Sequence, residues 1–346
     1  QQAKGVYFST VSQGNKDGYS IASGEIINAL NALKVQTTTF YNGQKIAMLM
    51  HNPYSILRIE APYRIVYTMF ESDKIPDDWY DYLKAADKIL VPSKWCQGVF
   101  AKANIETEVL PLGYNDNVFT YFERKNKVKN RQDFVFLHYN AFNIRKGFPE
   151  VFKAFNKAFR KDEPVKLILK THLHQIPLPI TKKEYPNIEI VNEEFNPQQM
   201  SELLYRSDCF VFPSRGEGFG IPPLEAMATG MPVIVPNAHG ITEYFNRDYM
   251  LEVKVAGFCP ALYSRYKNQD VGRMVVCDVD DLAKQMRFAY DHQDEMLMMG
   301  KRAAEYVKQW TFKNTAVKLK QMLMEIMIKP LPERKLTNVL TLEKVK

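Results

Sequence analysis

One passage constrains the chain more than any other: Pro213-Ser214-Arg215-Gly216-Glu217-Gly218-Phe219-Gly220-Ile221-Pro222-Pro223-Leu224-Glu225-Ala226-Met227-Ala228-Thr229-Gly230. The apolar run Cys209-Phe210-Val211-Phe212 before it reads as a buried strand. Leu224-Glu225-Ala226-Met227-Ala228 at its end are strong helix formers. Pro222 and Pro223 suit a first helical turn, where a missing N–H is no loss. A glycine-rich bend therefore joins strand to helix and aims a helix N-terminus at whatever lies there. Such an end offers unpaired N–H groups and a positive dipole end, both suited to a phosphate.

Glu217 and Glu225 stand eight positions apart in this bend and offer acceptors for hydroxyl groups. Phosphate donors beside hydroxyl acceptors suit a nucleotide sugar. No Gly-Lys-Ser/Thr phosphate loop of the nucleotide-hydrolysing type occurs, which argues against that chemistry.

A length of 346 residues suggests two domains. The net charge of +7 is compatible with anionic small molecules, an anionic membrane surface or nucleic acid, and selects none of them. Cys96, Cys209, Cys259 and Cys277 lack metal-ligand spacing and read as reduced, structural thiols. No apolar run approaches the length of a membrane span, and Gln1-Gln2-Ala3-Lys4 has no signal-peptide character. The expected location is cytoplasmic, with peripheral contact at the inner membrane face compatible with the charge.

Strand-like and helix-like patterns alternate along the chain, implying parallel sheets with crossover helices. Expected strands include 5–9, 36–41, 45–50, 64–69, 88–92 and 107–111. After the polar, basic run 123–131, read as a solvated linker, the pattern restarts. Strands are expected at 134–138, 165–170, 188–192, 209–212, 231–235 and 274–276. Long helical patterns follow at 280–292, 301–309 and 312–328. The expected division is 1–122, linker 123–131, 132–310, and 311–346 as a C-terminal helix, packing back toward the N-terminal domain, plus a tail. In open parallel sheets ligands bind beyond the C-terminal strand ends, and the glutamate bend sits at such an end.

The bend and its flanks, from Met200 through Ser214 and the two glutamates to Ile234, resemble the donor-site signature of retaining glycosyltransferases of the GT-B fold, family 4 (group 1) in particular. Arg145-Lys146-Gly147-Phe148, Tyr67 to Asp73, Val91 to Trp95, Pro111-Leu112-Gly113 and Gln309-Trp310-Thr311 agree with it. The resemblance covers roughly residues 60 to 325. It implies an α/β GT-B architecture, two Rossmann-like domains with parallel sheets facing across a cleft. It implies transfer of a sugar from a nucleoside-diphosphate sugar to a hydroxyl acceptor: a glycan, a lipid-linked precursor or a cell-surface polymer precursor. The nucleotide sugar is then a substrate, and no cofactor is implied.

Residue by residue, the resemblance gives Glu225 the ribose hydroxyls and Glu217 the transferred sugar. The N–H groups around Gly218, Phe219, Gly220 and Ile221 would meet sugar hydroxyls and phosphate. Lys146 matches the lysine on the donor diphosphate. The second basic residue of the pattern stands five positions earlier, where this chain has Ala141, and Arg145 is adjacent instead. The pattern's histidine near the reacting sugar has no match in Tyr67 to Ser72. Glu71, Ser72 and His51 are the candidates for sugar or acceptor contact there, with a structural or capping role as the competing reading. The glycine loop facing acceptor and diphosphate corresponds to Gly14 and its neighbours.

Asp278-Val279-Asp280 has the form of an Asp-x-Asp metal motif, but it precedes a helical pattern, where an N-cap with an acidic first turn explains it. No obligatory divalent metal is expected. His172 and His174, without a third ligand nearby, read as loop residues. Three other readings stay open: an epimerase or hydrolase of the same fold, a nucleotide-sugar-binding protein without catalysis, and a transferase acting on DNA, a less favoured acceptor whose binding would weaken steeply with salt.

Overall fold

A computed structural model describes residues 5–9, 18–127, 129, 132–140, 143–171, 183–267 and 269–332. Gly14, Ala141, His172 and His174 lie outside the described residues. The chain forms two compact units. One holds the described residues up to Gly113, with Leu262–Gly272 and those from Phe312 on; the other holds Tyr114–Ala261 and Arg273–Thr311.

The first unit runs β1 (Val6–Ser9), α1 (Gly18–Ala32), β2 (Thr37–Thr38), β3 (Ile46–Met50), β4 (Tyr63–Tyr67), α2 (Trp79–Leu83), β5 (Lys88–Val91), α3 (Lys94–Ala101) and β6 (Glu108–Val109). Its six strands are all parallel, in the order β2-β1-β3-β4-β5-β6. Every residue of β3 is buried, as expected for a parallel strand covered on both faces. Ala22, Ile26 and Leu30 recur at helical spacing and bury one stripe of α1.

The second unit begins with β7 (Phe134–Tyr139), α4 (Phe148–Ala158), β8 (Val165–Thr171), β9 (Ile188–Asn192) and α5 (Pro197–Tyr205). It continues with β10 (Cys209–Val211), α6 (Ile221–Ala228), β11 (Val233–Pro236) and β12 (Leu251–Val253). The hairpin strands β13 (Val255–Pro260) and β14 (Arg273–Cys277) follow, then α7 (Val279–Asp291) and α8 (Gln293–Tyr306). The final helix, α9 (Phe312–Met327), belongs to the first unit and packs on its α1, where Lys320 Nζ donates to the Leu33 carbonyl at 3.0 Å.

The second sheet is parallel with order β12-β11-β10-β7-β8-β9. From β7 the chain winds one way to β9, then restarts at β10 on the other side of β7. The switch point thus lies between β7 and β10, the place where open parallel sheets bind their ligands. The first sheet switches between β1 and β3 by the same logic. The second core is aromatic: Phe134, Phe136, Phe155 and Phe159 interlock, and α4 and α7 close over them. Two parallel six-stranded Rossmann-like sheets with flanking helices are the GT-B set of parts.

Some local expectations are corrected. The strand expected at 36–41 shrinks to two residues, because the Thr38 hydroxyl exchanges hydrogen bonds with Phe40 and turns the chain. The helix expected at 301–309 begins already at Gln293 and ends as a 3-10 turn, Val307–Gln309. β12 and β13 were not foreseen; β13 carries Gly257 and Pro260 and none of its residues is buried, so it has no apolar alternation. The basic run is not solvated throughout. Arg124 is buried, donating to the carbonyls of Ser207, Leu204 and Thr229 and to the Thr229 hydroxyl. All four cysteines are free thiols. Among the described residues no helix is long and apolar enough to cross a membrane.

Candidate functional site

The glutamate bend leaves β10 at Phe212 and enters α6 through Gly220, the helix N-cap, which has φ +90°. An L side chain is strained at that angle, so glycine is required there. Tyr244 fixes this end: its hydroxyl donates to the Gly220 carbonyl at 2.5 Å, and its ring meets Phe219 edge-on at 5.4 Å. A second close approach holds the bend from outside. A Cβ on Gly240 would lie 2.2 Å from the Gly218 carbonyl carbon, and the Gly240 N–H donates to the Glu217 carbonyl at 2.9 Å. His239, itself at φ +45°, has Nε2 2.9 Å from the Ser214 carbonyl oxygen. Burial lowers the His239 pKa to about 4 despite the nearby Glu217, so the ring is neutral at physiological pH.

From the other side of the switch point comes the turn after β7. Asn143 caps it, accepting from the Lys146 N–H at 3.1 Å, and Gly147 follows at φ +76°. Gly147 must be glycine twice over, since a Cβ there would lie 2.1 Å from the Pro213 carbonyl oxygen. The two loops are stitched together by the Arg215 N–H donating to the Arg145 carbonyl at 2.7 Å.

Four expected or adjacent side chains meet at this seam. Lys146 Nζ lies 2.7 Å from Glu217 Oε1, and Ser214 Oγ donates to the same oxygen at 2.6 Å. Arg145 donates to the Gly216 carbonyl at 2.6 Å and stands 3.7 Å from Glu217 Oε2. Glu217 is only 7% exposed. Burial alone would raise its pKa, but Lys146 and Arg145, with the hydrogen bonds from Lys146 and Ser214, lower it to about 2. Glu217 is therefore an anion throughout the physiological range, held between two cations. Arg145, outside the expected spacing, thus faces the same carboxylate as Lys146.

Glu225, one turn into α6, is half-buried and accepts a hydrogen bond from the Tyr139 hydroxyl at the end of β7. Burial, and then the Glu225 charge, push the Tyr139 phenol well above its ordinary pKa, so it stays a donor. Glu217, Lys146, Arg145, Glu225 and the Gly218 to Ile221 backbone are thus brought together at the C-terminal ends of β7 and β10.

The first unit gathers a second group at its own C-terminal strand ends. His51 follows β3 and meets the ring of Tyr19 edge-on at 5.3 Å. The Tyr19 hydroxyl accepts from the Met69 N–H at 2.9 Å and donates to the Met69 carbonyl at 3.1 Å. Burial, and then the charge of Glu71, raise the Tyr19 pKa. Glu71 Oε2 accepts from the Tyr263 hydroxyl at 3.1 Å. Ser72 is fully buried, and its hydroxyl is directed to the Val271 and Lys74 carbonyls. Asp278 is an N-cap as expected, accepting from the N–H groups of Asp280 and Asp281 at 2.8 and 2.9 Å. Among the described residues no group of three or more His, Cys, Asp or Glu side chains is placed to hold a metal ion.

The family model for glycosyl transferases group 1 matches residues 120–306, more than half of the chain. The chain belongs to the group 1 glycosyl transferases. This glycosyltransferase is 26% identical over 282 residues to the ORF313 protein of Acidianus filamentous virus 1, whose name assigns it provisionally to the glycosyltransferases; the match covers 78% of this chain and 81% of that one. A stretch of 40 residues is 55% identical to the lipopolysaccharide core biosynthesis mannosyltransferase LpsB of Rhizobium meliloti, 11% of each chain. Among solved structures it resembles Anabaena HepE in complex with UDP-glucose, at TM-score 0.68 and 12% identity, covering 93% of this chain and all of that one. It also resembles sucrose-phosphate synthase from Thermosynechococcus elongatus, at TM-score 0.62 and 14% identity, covering 92% and 81%. At these identities the structural likenesses establish the fold.

Several residues that shape this glycosyltransferase's candidate site carry no signal in the sequence. Ser214 lay inside the quoted bend, but a serine there carries no directional signal. Tyr244 is buried and Tyr139 and Tyr19 partly so, and sequence periodicity presents all three as ordinary packing aromatics. Tyr263 is distant in sequence from Glu71, and nothing local connects the two.

Proposed function

We propose that this glycosyltransferase, of the family 4 type, moves a sugar from a nucleoside-diphosphate sugar to a hydroxyl acceptor, with retention at the anomeric carbon and without an obligatory metal. The observation that carries the reading is Glu217, buried and ionised between Lys146, Arg145 and Ser214 at a helix N-terminus. In this reading the diphosphate takes the N–H groups of Phe219, Gly220 and Ile221 and the charges of Lys146 and Arg145. Charge grows on the leaving diphosphate as the C1–O bond breaks, and fixed cations with helix-end donors stabilise it. Glu217 bonds hydroxyls of the transferred sugar and favours its oxocarbenium-like state. Glu225, oriented by the Tyr139 phenol, accepts the ribose hydroxyls.

The acceptor oxygen enters on the face that the diphosphate leaves, and its proton passes to that diphosphate. Atoms balance: one C1–O bond breaks with its electron pair going to phosphate, and one C1–O bond forms. In this reading Glu71 and His51 are the candidates for contact with the entering hydroxyl.

A thermal-shift panel of UDP-, GDP- and ADP-sugars tests the donor half, because a ligand that binds only the native state raises the melting temperature by mass action. One base should stand out, and its shift should shrink in Glu225→Ala. No shift with any member would contradict the reading.

A further inference from the structure

Residues 262–272 lie in sequence between β13 and β14, yet they belong to the first unit. They are fastened there at several points. Tyr266 accepts from Trp79 Nε1 at 3.1 Å and shares a hydrogen bond of 2.9 Å with the Tyr54 hydroxyl, which donates to Asp78 at 2.8 Å. Ser72 donates to the Val271 carbonyl. Gly272, at φ +82°, sits so close that a Cβ would lie 2.4 Å from Asp73 Oδ1. The Phe70 ring meets those of Tyr263 at 5.0 Å and Tyr266 at 5.9 Å.

These attachments hold Tyr263, Tyr266, Val271 and Gly272 in place, and the group that reaches the carboxylate is the Tyr263 hydroxyl, 3.1 Å from Glu71 Oε2. We infer that Tyr263 is a positioning residue for Glu71: its phenol, packed on Phe70, fixes the carboxylate that orients the entering hydroxyl in the transfer reaction. This inference rests on the proposed function. A carboxylate with one oxygen tethered has fewer orientations to lose when it accepts a hydrogen bond from substrate, and misplacement by about 1 Å costs on the order of a hundredfold in rate. Tyr263 touches no reacting atom in this account and takes no proton.

The test is a double-mutant cycle with water as the acceptor, using whichever of UDP-glucose, GDP-mannose and ADP-glucose the full chain hydrolyses fastest. Tyr263→Phe keeps the ring on Phe70 and removes only the hydroxyl. It should lower kcat about tenfold with the donor KM unchanged, the size expected for one hydrogen bond to a charged group. Glu71→Gln should lower kcat by more, and adding Tyr263→Phe to it should cost no further activity. Tyr266→Phe, which loosens the segment without touching Glu71, should lower the melting temperature more than Tyr263→Phe does. An undiminished kcat in Tyr263→Phe, or losses that multiply in the double variant, overturns the inference alone. Stabilisation by one of the three donors without its hydrolysis overturns the inference alone; a wild-type chain that none of them stabilises overturns the proposed function and this inference with it.

Discussion

Lys146 and Glu217 form an ion pair of 2.7 Å across the seam between the turn after β7 and the bend after β10. Their side chains are 12% and 10% exposed, so solvent screens the pair little. Lys146→Ala leaves the buried carboxylate with Ser214 and a guanidinium at 3.7 Å. We expect it to lower the unfolding free energy of the second unit by about 2 kcal/mol, below the usual cost of breaking a buried pair because those two partners remain. A urea titration of wild type and variant checks this.

The same pair sets a pH dependence. The folded Glu217 pKa of about 2 lies below the ordinary value of 4.5, so its contribution is fully present above about pH 4.5. It is lost as pH falls toward 2. Unfolding midpoints measured from pH 6 to pH 2.5 should fall more steeply for wild type than for Glu217→Gln. Parallel curves would refute the assignment.

The two glutamates should separate kinetically. Glu225→Ala should weaken nucleoside-diphosphate binding about tenfold or more, having lost a charged acceptor and left the Tyr139 phenol buried without it. Glu217→Ala should cut kcat about a hundredfold, with nucleoside-diphosphate affinity changed no more than about threefold. Calorimetry and steady-state rates on the same preparations measure both. Equal affinity losses would dissolve the division of roles.

Gly240→Ala tests whether the 239–243 turn braces the bend. Its Cβ would fall 2.2 Å from the Gly218 carbonyl carbon and 2.5 Å from the Phe219 nitrogen, all backbone that cannot rotate away. We expect a loss of about 2 kcal/mol or more in stability, and weakened nucleotide binding as Gly218 and Phe219 shift. A variant with wild-type melting and affinity would show that the turn does not brace the site.

Asp278→Ala removes the N-cap of α7 and should cost about 1 kcal/mol. The variant should keep wild-type turnover, and excess EDTA should change neither protein's rate. Activity lost on chelation and restored by a divalent cation would contradict the metal-independent reading.

The strand, bend and helix around the two glutamates were legible because their determinants are local. The Gly-rich bend, the two prolines and the flanking apolar strand lie within one strand-turn-helix unit, so sequence spacing fixes where Glu217 and Glu225 project. Lys146 was legible only through family resemblance, since its approach to Glu217 depends on the strand order that sets β10 beside β7. Arg145 shows the limit of spacing arguments: it misses the expected offset yet faces the same carboxylate, because its long side chain reaches the Gly216 carbonyl beside Glu217. Arg124 sat in a charged run that sequence statistics assign to solvent, and three backbone carbonyls distant in sequence captured its guanidinium. The same is true of Tyr263 on Glu71, a pairing that only the path of residues 262–272 reveals.

The most direct measurement is the crystal structure of the chain soaked with UDP, GDP or ADP. Pyrophosphate oxygens should lie within hydrogen-bonding distance of the N–H groups of residues 219–221 and of Lys146 Nζ, with the ribose hydroxyls on Glu225. Nucleotide density that lies away from residues 215–225 with every base would contradict this placement.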